Sequence, residues 1–151
     1  MIPPEIIEAQ LAYAELACAM ADRARLIVGS VGDNLPPGAR ISRANDLHMA
    51  SIVLVTRAAL VELATGATWR QVADAMHVPV SAAYKGLRPD GSRMAAAAKR
   101  GPTMTLITDR TLLYGDGVVD TATTLDTWCI RHTEPWEEPV ENAVSRIFQL
   151  E

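Results

Sequence analysis

Residues 68–88 read TWRQVADAMHVPVSAAYKGLR. Thr68 offers a hydroxyl that caps a helix, and Gln71, three residues on, completes a reciprocal capping box. Ala67 and Val72 stand where a hydrophobic staple packs across a helix start. Trp69, Val72, Ala73 and Met76 recur at helical spacing and give that helix one apolar face. The pair Val78-Pro79 ends it, because proline has no N–H to donate and restrains the residue before it. Proline is accepted in the first turn of a following helix. His77 falls where a left-handed backbone usually selects glycine. Ala82 and Ala83 are small enough for the second helix to cross closely over the first, while Ser81, Tyr84, Lys85 and Arg88 point outward. This is a helix-turn-helix pattern, with its second helix presented as a recognition helix is presented to a major groove.

The segment resembles the sigma-factor region-4-like helix-turn-helix of small actinobacterial DNA-binding proteins. Trp69, Val72, Ala73, Ala75, Met76, Val78, Ala82, Ala83, Tyr84 and Lys85 match that pattern. His77, Pro79, Val80, Ser81 and Gly86 depart from it, and Val80, Ser81 and Gly86 replace the long polar side chains that usually reach bases. The resemblance implies a DNA-binding regulator, and it covers about a seventh of the chain.

Outward from this motif, 151 residues fit one domain. Nearly half are hydrophobic, with few aromatics, so Ala, Leu, Val and Ile must fill the core; such cores favour closely packed helices. Two cysteines make no disulfide framework, and a reduced, cytoplasmic setting is expected. Glu5, Glu8 and Glu15 interrupt any signal-peptide pattern. The apolar run 49–61 contains Arg57 between His48 and Glu62 and reads as too short and too charged to span a membrane. The net charge of -4 opposes nucleic-acid binding, but its distribution does not: residues 1–39 carry -3, residues 40–100 carry +5 and residues 101–151 carry -6. Positive charge therefore concentrates around the motif, and local field steers a phosphate backbone.

Three regions follow: N-terminal helices over 1–66, the helix-turn-helix over 67–88, and residues 89–151. Pro3 and Pro4 open a helix running to about Val28. Glu8, Glu15 and Asp22 lie seven apart and mark its wet side. Ile7, Leu11, Ala14, Cys18 and Ala21 form an apolar seam that Ile6, Tyr13, Leu16, Ala17, Met20, Ala24 and Ile27 widen. That is broader than an ordinary surface stripe, so the helix needs partners on two sides; one reads as the rest of the domain, the other as a second copy, with a central helix of a monomer as the alternative. Residues 29–40 form a loop. A second helix spans about 42–65 and stops at Gly66; Ile52-Val53-Leu54-Val55 reads as buried all round, and Arg57 as a surface charge. After a turn at 88–91, Ser92 caps a short Ala-rich helix ending in Lys99 and Arg100. Residues 103–117 suggest a small β-hairpin. Asp120 caps a helix over about 121–132, with Ala122, Leu125, Trp128 and Cys129 on one face. A last helix follows Pro139, carrying Val140, Ala143, Val144, Ile147 and Phe148.

The fold expected is mainly α: a helix-turn-helix domain with long N-terminal helices and a small β-hairpin before two C-terminal helices. Cys129 and His132 are spaced like half a metal site without a second half, and a structural zinc needs four ligands. No Gly-rich phosphate loop or nucleophile constellation is framed, so neither an enzyme nor a cofactor is expected. The function expected is sequence-specific binding of double-stranded DNA by a homodimeric transcriptional regulator. Ser81, Tyr84 and Lys85 would meet the groove, and Arg70, Arg88, Arg93, Lys99 and Arg100 the phosphates. An adaptor that docks on RNA polymerase or another regulator is the second reading. A regulator with a small-molecule pocket lined by Tyr13, Met20 and Met49 is the third.

Overall fold

Two 26-residue helices, α1 (Pro4–Gly29) and α2 (Ala39–Ala64), pack against one another. The computed structural model describes residues 4–86 and 117–148. After α2 come a short helix α3 (Trp69–Met76), a helix α4 over residues 80–86, α5 (Val118–Arg131) and a 3-10 turn, Ser145–Phe148. The described part is mainly helical. The hairpin expected at residues 103–117 and the basic helix ending at Lys99 and Arg100 lie outside the described residues, apart from Gly117. Gly117 is the extended residue that starts α5. No strand occurs among the described residues.

The wide apolar surface of α1 does have partners on two sides, and both come from its own chain. Leu11 and Cys18 join Ala122 and Leu125 of α5, with Ile7, Ala14, Val144, Ile147 and Phe148 around them. On its other side Leu16 packs with Ala50 and Val53 of α2, with Met20 and Leu54 beside them. The breadth of α1 therefore requires no second copy, contrary to the expectation from its pattern.

The expected wet side of α1 is only partly wet. Glu15 is 5 % exposed and Arg57, read as a surface charge, is also 5 % exposed. Arg57 reaches across from α2 and donates through Nη1 to the carbonyl of Ala12 on α1 at 2.5 Å. Glu15 Oε1 and Arg57 Nε make no hydrogen bond among the described residues. Burial raises the Glu15 carboxyl from 4.5 to about 7, with the Arg57 charge acting the other way. Asp22 accepts from the indole Nε1 of Trp128 at 3.1 Å, which ties α1 to α5. A helix period places Glu15 and Asp22 on one side, but Arg57 of α2 reaches the first and Trp128 of α5 the second.

α2 starts at Ala39, three residues before Ser42. Gly38, at φ 87, turns the chain in without a side-chain cap. Arg40 donates to the carbonyls of Val31 and Asp33, and Arg43 to Ser30 Oγ, so the connecting loop is tied to the first turns of α2. Of the run Ile52-Val53-Leu54-Val55, only Val53 is buried; Ile52 and Val55 are 49 and 46 % exposed. By length and composition alone α2 could cross a membrane, with a mean hydropathy of 1.6 over its most apolar window. The run 49–61 understated this because the apolar stretch extends beyond it. The core helix of a soluble protein passes the same test, and one face of α2 is packed on α1.

At the other end, α5 begins at Val118, two residues before Asp120, with Gly117 as an N-cap that has no side chain to cap it and Asp120 inside the first turn. Ala122 and Leu125 are fully buried and Trp128 and Cys129 half-buried, so the expected face is present. The last helix is reduced to a single 3-10 turn. Asn142 takes a left-handed φ of 53, which stops a right-handed helix there. The N–H groups of Val144 and Ser145 donate to Asp126 Oδ1 at 2.6 and 3.2 Å, in place of carbonyls of a preceding helical turn.

Candidate nucleic-acid interface

The unit formed by α3 and α4 sits at the C-terminal end of α2. Ala59 of α2 and Val72 of α3 form a small core, with Leu63, Ala67, Trp69 and Met76 packed on it. The N-terminus of α3 is held by the reciprocal bonds read from the sequence. Gln71 N–H donates to Thr68 Oγ1 at 3.3 Å, and Thr68 N–H donates to Gln71 Oε1 at 2.8 Å. Ala67 packs against the cluster that Val72 forms with Ala59, where a staple would place it. Thr68→Ala is expected to destabilise by about 1 kcal/mol, and urea titration of the full chain checks it. A loss no larger than that of Arg70→Ala would remove the role of the cap.

The turn is built at His77, which adopts φ 56 and ψ 39, the left-handed conformation. Its N–H and that of Val78 return to carbonyls of the last turn of α3, with Val78 donating to Ala73 at 3.1 Å. Pro79 precedes α4, and its carbonyl accepts from Ala82 and Ala83 at 2.9 and 3.0 Å. Ala83 is 1 % exposed, but Ala82 is exposed, so only one of the two small residues is buried.

Arg70, Ser81 and Lys85 are exposed. Tyr84 is 41 % exposed. Its ring stands edge-on to Trp69 at 5.1 Å and 80°, which holds α4 against α3 and leaves only part of the ring for a ligand. Arg88, Arg93, Lys99 and Arg100 lie outside the described residues. Arg70, Ser81, Tyr84 and Lys85 therefore share one small unit, while most of the expected phosphate-contacting residues are not located relative to it.

Elsewhere the chemistry is quiet. Cys18 and Cys129 are free thiols. Burial, then Cys129, Asp22 and Glu15, pushes Cys18 up to about 12, and burial with Asp126 raises Cys129. His132 stacks on Trp128 at 4.1 Å, and its Nδ1 faces the Trp128 carbonyl at 2.6 Å. No group of three His, Cys, Asp or Glu able to hold a metal occurs among the described residues. Tyr13 and Met49 are 39 and 41 % exposed, and Met20 packs into the α1–α2 core, rather than enclosing the expected pocket. A cleft of about 90 Å3 lies instead beside the α1–α2 loop, lined by Ile27, Ser30, Val31, Leu35, Arg40 and Arg43.

Comparison with known protein families, with characterised proteins and with solved structures finds no match.

Proposed function

We propose that this chain is a sequence-specific DNA-binding transcriptional regulator whose α3–α4 unit acts as a helix-turn-helix in the major groove. One observation carries the reading. The capped α3, the left-handed turn at His77 and α4 bury Val72, Ala73 and Ala83, while Arg70, Ser81, Tyr84 and Lys85 stay on accessible surface. Small residues hold two short helices in close contact, and the outward side of the second is free to enter a groove about 12 Å wide. In this reading Ser81, Tyr84 and Lys85 meet base edges or the groove wall. Arg70, Arg88, Arg93, Lys99 and Arg100 meet phosphates, in keeping with the concentration of positive charge over residues 40–100.

Fluorescence anisotropy against a random genomic DNA pool, with sequencing of the retained fragments, tests this directly. Enrichment of one sequence is the expected result; absence of binding at low salt removes the function. If about four of the basic residues touch phosphate, the log–log salt slope should be on the order of -4 for one bound chain and -7 for two. Lys85→Ala should weaken binding about tenfold, within the range of one specific contact, and Val80→Ala should leave it nearly unchanged. Equal effects of the two changes would mean that α4 is not the reading helix.

Trp136, 80 % exposed, favours a second reading, an adaptor for RNA polymerase or another regulator. Exposed tryptophan is unusual on bare surface and common at protein interfaces. Failure of DNA binding with retained capture of a protein partner, lost in Trp136→Ala, would select the adaptor.

A further inference from the structure

One side of α2 is exposed and apolar. Ile41, Met49, Ile52 and Val55 are 76, 41, 49 and 46 % exposed. Helical spacing puts Asn45, His48 and Thr56 on the same side. No Asp, Glu, Lys or Arg falls there between residues 41 and 56. Ser51 and Thr56 turn their hydroxyls back to the carbonyls of His48 and Ile52, at 2.6 and 3.2 Å, so neither hydroxyl needs an external partner. A solvated helix face normally carries charge. Beyond residue 56 the same side is already covered, because Ala59 and Leu63 pack with α3.

We infer that this face pairs, antiparallel, with the same face of a second copy, about a twofold axis between residues 48 and 49. The uncharged strip itself gives the register. Using its whole length up to the edge of α3 sets Ile41 against Thr56, Asn45 against Ile52, and His48 against Met49. Such a contact is isologous, as twofold symmetry requires, and it brings no like charges together.

A second argument rests on the DNA-binding reading. α3 is seated on α2 at Ala59 and Leu63. At 1.5 Å per residue, the two seats lie roughly 37 Å apart along the paired helices. One turn of B-DNA separates half-sites by about 34–36 Å. The pair therefore supplies two α3–α4 units at the spacing of successive major grooves, and a single chain supplies half a site. The strip is about 22 Å long and one helix wide, so it covers on the order of 220 Å2 per partner, less than the roughly 800 Å2 per partner of a standard interface. The solution dimer is accordingly weak and is reinforced on DNA that carries both half-sites.

Cross-linking of the full chain without DNA is the test. Met49→Cys should form a disulfide-linked dimer under mild oxidation, while Arg25→Cys, exposed on α1, should not. The native thiols are buried or half-buried and give little background. Adding Ile52→Glu to Met49→Cys should abolish the dimer while the circular dichroism spectrum and Tm stay unchanged. Equal cross-linking at residues 25 and 49, or cross-linking indifferent to Ile52→Glu, overturns the pairing. So does binding of phosphatidylcholine vesicles that is lost in Ile52→Glu with no cross-link formed, since lipid would then cover the face. Cross-linking without DNA binding leaves the pair standing and removes the DNA function; DNA binding to a single half-site without cross-linking does the reverse.

Discussion

Arg57→Ala is expected to cost about 1.5–3 kcal/mol of folding free energy, because it removes the charge-assisted bond to the Ala12 carbonyl, while the buried Glu15 carboxyl can take up a proton once the cation is gone. Arg57 joins α2 to the Ala12 carbonyl of α1 and lies beside Glu15, and both charged residues are 5 % exposed. Urea titration at neutral pH should show a lowered midpoint with an unchanged slope. Arg70→Ala, at an exposed position, should change stability by less than about 0.5 kcal/mol. Replacing both members, as in Glu15→Leu with Arg57→Met, should recover most of the loss, since an apolar pair of similar volume removes both desolvation penalties. A loss of less than about 1 kcal/mol for Arg57→Ala would mean that water reaches the pair, as at a surface ion pair.

The same site gives the stability a pH dependence. Burial raises the Glu15 carboxyl from 4.5 to about 7, against the pull of Arg57. The folded state therefore holds this proton at pH values where the unfolded chain has released it. Where the native state binds more protons, stability falls as pH rises. This contribution should decline between about 4.5 and 7, and level off above. Glu15→Gln should flatten the profile over that window; an unchanged profile would assign the dependence to other groups.

Asp126→Ala is expected to cost about 2–4 kcal/mol, because one buried carboxylate accepts several charge-assisted bonds. Its Oδ1 takes the N–H of Val144 at 2.6 Å and of Ser145 at 3.2 Å, and its Oδ2 takes the Ser145 N–H at 3.3 Å and the Ser145 hydroxyl. These bonds hold the 3-10 turn on α5, and the turn brings Ile147 and Phe148 to the cluster around Leu11 and Leu125. Removing the carboxylate strands two backbone donors and loosens that cluster. The local consequence is distinctive: limited proteolysis should shift to sites within residues 140–148 before the rest of the chain is cut. Asp126→Asn keeps an acceptor of the same shape and should lose less than Asp126→Ala. A stable Asp126→Ala variant with an unchanged cleavage pattern would mean that apolar contacts alone seat the turn.

Local signals specified local structure well. Thr68 and Gln71 specified the start of α3, and His77 specified the left-handed turn, because caps and turns are decided by residues within one helical turn of each other. The seam of Ile7, Leu11, Ala14 and Cys18 specified one packed face of α1 for the same reason, since periodicity is a property of a single helix. Arg70, Ser81, Tyr84 and Lys85 were placed on the α3–α4 unit by short-range spacing alone, although the contact of Tyr84 with Trp69 was not legible.

What periodicity lacks is the identity of the neighbour. Glu15 and Asp22 keep a regular spacing that reads as a wet face, yet the partners α2 and α5 arrive from 45 to 106 residues away. Arg57 inside an otherwise apolar run was the available signal for a buried charge, since such a position tolerates a cation only when something compensates it. The exposure of Ile52 and Val55 and the shortened C-terminal helix were decided at the same level. The sequence by itself determined the capped start of α3, the turn at His77 and one apolar face of α1, whose energies are settled within a few residues. Only the tertiary structure decided which faces are covered, because burial depends on which distant segments come together and how much polar surface they desolvate.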